Sequence, residues 1–155
     1  MWKILGNSIY IRNLVVLLFR RAKQPCPEPA HLQLGRRGER LAARHLKRLG
    51  HRILYRNYRC DSGGEIDLIT RDRRSNCLVF VEVKTRSSEK WGRPLDAVDA
   101  GKQRRIRKAA QTWLRLLDCP EIPYRFDIVE IVLTATNADI RVIESAFAQR
   151  SDSLY

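Results

Sequence analysis

Gly64-Glu65-Ile66-Asp67-Leu68-Ile69 and, after a polar gap, Phe80-Val81-Glu82-Val83-Lys84-Thr85-Arg86 set charges into two apolar runs. Side chains alternate faces along a strand, so Glu82 and Lys84 point one way and Val79, Val81 and Val83 the other. Phe80 shares the charged face further back, which makes that strand apolar on both sides before its charges begin. This is the pattern of a strand buried on both faces. A carboxylate and an ammonium at the end of such a strand are costly unless they pair or bind something. Arg71-Asp72-Arg73-Arg74-Ser75-Asn76 is polar enough to turn the chain, and a hairpin turn over 71–77 sets Asp67 opposite Glu82. Two facing carboxylates beside one lysine can hold a hard divalent cation and stabilise a reacting phosphate.

Upstream, Leu41, Ala42, His45, Leu46 and Leu49 trace one helical face from about Leu34, and Gly50 supplies the stop. Residues 52–56 read as a strand. Downstream, Asp96 or Asp99 caps a helix whose stripe is Ile106, Ala109, Ala110, Trp113, Leu114 and Leu117. Pro120 and Pro123 end it. Strands are expected over 125–133 and 140–143, and the segment between 84 and 125 is long enough to cross over between parallel strands. Helix, three strands, helix, strand predicts an α/β domain with a mixed sheet covered by helices on both faces. That domain is placed at 32–155. Residues 1–31 form a separate extension with a proline-rich linker. Its residues 4–19 read either as an amphipathic helix touching a membrane or a partner, or as a loosely ordered tail.

Thirty basic against 17 acidic residues give a net charge of +13. The excess is clustered: residues 36–60 hold nine Lys/Arg against Glu39 alone, and residues 102–125 hold seven against Asp118 and Glu121. Residues 61–99 are nearly balanced, with eight acids and seven bases. An acid-containing centre flanked by basic segments suits a polyanion held over a metal site. Four cysteines at 26, 60, 77 and 119 show no zinc spacing. Cys60 and Cys77 are either neighbours or, as a reducing cytoplasm favours, plain thiols, and a cytoplasmic location is expected.

Asp67 and Glu82, with the Val83 carbonyl and waters, form the expected ligand set for magnesium or manganese rather than zinc. Lys84 would offset charge on a phosphate or position the attacking water. The competing reading is a buried ion pair of Lys84 with Glu82 or Asp67. Glu39 follows Gly35-Arg36-Arg37-Gly38, and Ala42 and Ala43 one turn later would let its helix approach the carboxylates. A first-turn acid favoured by the helix dipole fits that spacing equally well. Lys102 lies on the buried stripe and either points at the site or snorkels to water. Arg36, Arg37 and Arg40, and Lys102, Arg104, Arg105, Arg107 and Lys108, are the candidate phosphate-binding residues. Asp127 is expected to pair with Arg125, Lys102 or a helix end.

Gly35-x-x-Gly38-Glu39, Gly64 to Ile69, Phe80 to Arg86, Lys102 and Arg125-Phe126-Asp127 together resemble the bacterial YraN family, also called UPF0102, over roughly residues 33–133. That family is similar to the PD-(D/E)xK nucleases, with a restriction-endonuclease-like αβββαβ core. It resembles archaeal Holliday-junction resolvases in placing a glutamate on the first helix. The resemblance implies that Asp67, Glu82 and Lys84 carry the core catalytic motif and that Glu39 is its fourth member. Residues 1–31 extend beyond the family's usual start. The expected function is a metal-dependent endonuclease acting on DNA, with branched or processed DNA among its candidate substrates. A non-catalytic nucleic-acid-binding protein of the same fold is the alternative, although pure binding does not need two carboxylates that repel phosphate. A membrane-associated adaptor working through residues 4–19 is a third reading, and a homodimer is left open.

Overall fold

The computed structural model describes residues 28–61, 63–87, 98–118 and 121–149. The chain divides into units 1–30 and 31–155, and the expectations for residues 4–19 lie outside the described residues. Helix α1 (Ala30–Arg48) begins a turn earlier than its apolar stripe suggests. Gly50 ends it with φ of 98°, a left-handed conformation natural to glycine. Strands β1 (His51–Cys60), β2 (Gly64–Asp72) and β3 (Cys77–Arg86) follow, then α2 (Ala100–Leu116), β4 (Tyr124–Leu133) and β5 (Ala138–Ile143). Asp99, not Asp96, caps α2, its carboxylate accepting the Lys102 N–H at 2.7 Å.

The five strands lie in sequence order in one sheet. Only β3 and β4 are parallel, joined by the α2 crossover; the other neighbours are antiparallel. This is the predicted α/β architecture with a mixed sheet. Ala42, Ala43 and Leu46 of α1 pack on Leu68, Val79, Val81, Val129 and Ile131. Ile106, Ala109 and Ala110 of α2 pack on Ile69, Leu78, Phe80, Phe126 and Ile128. β3 and β4 therefore feed alternate side chains into two cores, which explains their apolar runs. Beyond β5, Phe147 stacks on Phe126 at 4.8 Å between ring centroids, and the Ala146 N–H bonds to the Phe126 carbonyl at 2.8 Å.

Three expectations are corrected. The β2–β3 turn is confined to residues 73–76, because Asp72 and Cys77 still pair. The first strand runs on to Cys60 rather than ending at 56. Cys60 pairs with Gly64 and Cys77 with Asp72, at opposite ends of β2, so the two thiols are not neighbours.

Two glycines set how closely the helices lie on the sheet. A Cβ on Gly38 would stand 1.7 Å from the Thr85 hydroxyl oxygen, and one on Gly64 would stand 2.5 Å from the Arg105 carbonyl. Gly38→Ala should therefore push α1 off β3 and cost about 1–3 kcal/mol, and Thr85→Ala should partly restore stability. Denaturant melts of the two single variants and the double variant measure this; additive losses would show that Gly38 and Thr85 do not meet.

At the turn end of the sheet, Arg125 donates to Asp72 at 3.2 Å and to both Asp127 oxygens at 3.0 and 3.1 Å. The Ser75 hydroxyl, helped by the Arg74 N–H and Arg125 against the cost of burial, holds the Asp72 carboxyl well below the usual carboxylate range. A depressed folded pKa adds stability above the unfolded value near 4, and that stability is lost as pH falls. Asp72→Asn should cost about 1.5–3 kcal/mol at pH 7. The gap should narrow below roughly pH 4, as urea melts at pH 7 and pH 3 would record; a gap unchanged by pH would rule out the charge as its source.

Candidate active site

The β2–β3 ladder runs from Asp72↔Cys77 to Leu68↔Val81. One step beyond, the Asp67 Oδ2 accepts the Val83 N–H at 2.7 Å, a side chain standing where a strand backbone would. β2 stays paired with β1 as far as Gly64, and β3 stays paired with β4 as far as Arg86. The sheet thus forks at Asp67. The register that sets Leu68 against Val81 brings Asp67 level with Glu82, the juxtaposition expected from the two strands.

Both carboxylates are largely withdrawn from water. Glu82 is 3% exposed. Its Oε1 lies 3.0 Å from Lys84 Nζ and 3.0 Å from Lys102 Nζ, while its Oε2 is buried with no hydrogen-bond partner. Burial first, then the charge of Glu82, push the Asp67 carboxyl up to about 7; the Val83 N–H and Lys102 pull the other way. Lys102 lies in the first turn of α2, which the Asp99 cap fixes. Its ammonium ends on the Glu82 carboxylate.

Glu39 is half-buried beside Gly38 on α1, and its charge adds to the rise at Asp67. It lines a cleft of about 310 Å³ with Arg36, Arg40, Arg56, Asn57 and Leu68. A second cleft, of about 470 Å³, is lined by Arg59, Cys60, Gly63, Gly64, Glu65, Lys102 and Arg105. Among the predicted phosphate-binding residues, Arg36, Arg37, Arg40, Arg104, Arg105 and Lys108 are exposed. Arg107 instead donates to the Ala148 carbonyl at 3.0 Å and sits 5.2 Å over the Phe147 ring. At Val83 the group in contact with Asp67 is the N–H.

Arg56 and Arg59 were missed as cleft residues. Their membership in the basic run 36–60 is a signal; Arg59 lies beyond the strand expected over 52–56, whereas Arg56 lies within it. Thr85, whose buried hydroxyl oxygen has no partner, was also missed. Among the described residues, no three His, Cys, Asp or Glu side chains cluster as metal ligands; at the fork the carboxylate oxygens are those of buried Glu82 and half-buried Asp67. Two carboxylates leave a cation most of its water shell, which suits magnesium or manganese. The partnerless Glu82 Oε2 fits such an ion.

Two ammonium groups share one buried oxygen, so neither pairing is independent. Lys102→Ala should destabilise the fold by about 1–3 kcal/mol, and should cost less in a Glu82→Gln background, where no buried charge is left exposed by the loss. A double-mutant cycle by thermal or urea melts reads the coupling; zero coupling would dissociate Lys102 from Glu82.

The family model for "Uncharacterised protein family UPF0102" matches residues 38–131, a span holding Glu39, Asp67, Glu82, Lys84 and Lys102. The chain is 41% identical over 117 residues to a UPF0102 protein of Caldicellulosiruptor saccharolyticus, covering 74% of this chain and 97% of that one. It is 47% identical over 115 residues to UPF0102 protein GSU0650 of Geobacter sulfurreducens, covering 74% and 88%. It is 48% identical over 109 residues to UPF0102 protein Cphamn1_0017 of Chlorobium phaeobacteroides, covering 70% and 84%. Among the described residues, no helix is long and apolar enough to cross a membrane.

Proposed function

The chain belongs to the UPF0102 family, and from the geometry of its matched segment we propose that it is a metal-dependent endonuclease hydrolysing phosphodiester bonds in DNA. The observation that carries this reading is the buried, partnerless Oε2 of Glu82 beside the half-buried carboxylate of Asp67. Stability alone gives no reason to hold two acids there, since a hydrophobic pair of similar volume would cost less. Asp67 and Glu82 would hold magnesium or manganese, which supplies a Lewis acid and an acidified water.

The chain's own groups then divide the remaining work. Hydrolysis adds a water oxygen to phosphorus as the bond to the leaving sugar oxygen breaks, and negative charge builds on the non-bridging oxygens. Lys84, already at the mouth of the fork, meets that charge. Lys102 stays on Glu82 and holds its Oε1 in place. Glu39, near enough to perturb Asp67, positions water on the α1 side. Arg36, Arg40 and Arg56 on one side, and Arg59 and Arg105 on the other, flank the carboxylates with charge suited to a phosphate backbone. Branched or processed DNA is the finer candidate within this reading. A specific observation favours the alternative of a binding protein: the two lysines on Glu82 already form a structural ion cluster.

Calorimetry with magnesium or manganese should show binding to the wild type that is lost in Asp67→Asn and Glu82→Gln. Lys84→Ala should cut cleavage by roughly 100-fold or more with DNA affinity retained. DNA affinity should fall steeply with salt, and charge reversal at Arg36/Arg40 or Arg104/Arg105 should weaken binding to all sequences alike. A wild type that binds DNA but cuts no linear, branched or single-stranded substrate with either metal would transfer the site to the binding-only reading.

A further inference from the structure

β1 breaks the alternation of its own side chains. Tyr55 and Tyr58 are three residues apart, yet both pack on Trp113 of α2, with ring centroids 5.2 and 5.0 Å away. The two tyrosine rings also meet edge to face at 5.8 Å. Asn57 lies between them with φ of 52°, a left-handed conformation that asparagine tolerates and that breaks the alternation, whereas the register shift of β1 against β2 falls earlier, between Ile53 and Tyr55. Tyr58 is buried, but Tyr55 is 47% exposed. One ring is thus presented to solvent while held by two others.

The strand that carries that ring is basic. Arg52, Arg56 and Arg59 are exposed along the same strand. Arg56 lines the cleft that contains Glu39, and Arg59 lines the cleft that contains Lys102. An exposed, held aromatic ring on a strand that also carries exposed guanidinium groups matches a polynucleotide whose bases are unpaired: the ring stacks on a base and the arginines take phosphates along the strand. A duplex cannot use the ring, because its bases already stack on one another.

We infer that β1 is a binding track for single-stranded DNA leading to the carboxylate fork, with Tyr55 as its base-stacking residue. This rests on the nucleic-acid reading above and narrows the substrate to DNA with an unpaired segment. A track of this kind delivers flexible strand to the fork from the side where β1 and β2 remain paired. Tyr55 contributes through its ring, so phenylalanine should replace it and alanine should not.

The test is fluorescence anisotropy of the full chain, without divalent metal, against a labelled single-stranded 20-mer and a blunt duplex of the same length. Tyr55→Ala should bind the single strand roughly 5- to 100-fold more weakly, with duplex affinity within about twofold; the melting temperature should fall modestly as the ring contacts to Tyr58 and Trp113 are lost, and binding is compared well below it. Tyr55→Phe should bind like the wild type. Arg56→Ala should weaken both DNAs alike, as a phosphate contact does. Equal losses on both DNAs in Tyr55→Ala, or no loss on either, would overturn the track while leaving the nuclease reading in place. A wild type that binds neither DNA would overturn both.

Discussion

The Asp67 carboxylate bonded to the Val83 amide is the contact on which the site depends. A sheet that simply continued its ladder would give that amide a carbonyl partner, and no opening would exist. Giving it a side chain lets β2 leave with β1 while β3 leaves with β4. The two strands between which the carboxylates lie are held apart by the acid that needs the space. Asn57 shares in this: the β1–β2 ladder passes from Arg56↔Leu68 to Tyr58↔Ile66, with Asn57 and Asp67 between the two pairs. Ile66 and Ile69 both pack in the α2 core despite their spacing of three, so β2 shifts its alternation at the same level as β1.

Once the fork exists, electrostatics fixes what surrounds it. The charge of Glu82 raises the proton affinity of Asp67, and the protein answers with cations from two directions. Lys84 comes from the same strand and Lys102 from the capped start of α2. Close helix approach follows from the same demand. Gly38 lets α1 bring Glu39 near the fork, and Gly64 lets α2 bring Lys102 and Arg105 near it. A side chain at either glycine would stand where the other element's atoms already are.

Much of this was legible in the residues. The apolar runs announced strands buried on both faces, and the offset of Asp67 from Glu82 across a polar turn announced their meeting. The crossover of β3 and β4 followed from segment length. What stayed hidden depended on backbone irregularity or on long-range contact. The left-handed Asn57 has no pattern that separates it from an ordinary strand asparagine, so Arg59 and the pairing of Tyr55 with Tyr58 on one face went unseen. The steric role of Gly38 required knowing that Thr85 lies beneath it. Arg107 looked like any other charge on a basic helix until Phe147 was found against it. The YraN/UPF0102 resemblance, by contrast, was visible because its acids and lysine sit at fixed strand positions, where spacing is preserved by the hydrogen-bond ladder.

The segment after β5 sets the practical limits of the domain. The family match ends at residue 131, inside β4. The Phe126 ring on that strand is covered by Phe147, and the buried Asp127 carboxylate takes a bond from the Ser145 N–H at 2.9 Å. A fragment cut to the matched residues would lose an entire edge strand and lay open one side of the central parallel pair. The smallest expressible piece therefore extends past the region that sequence comparison recognises, through Phe147 and the Arg107–Ala148 contact. A purification tag belongs beyond that point, where it leaves the clamp over β4 intact.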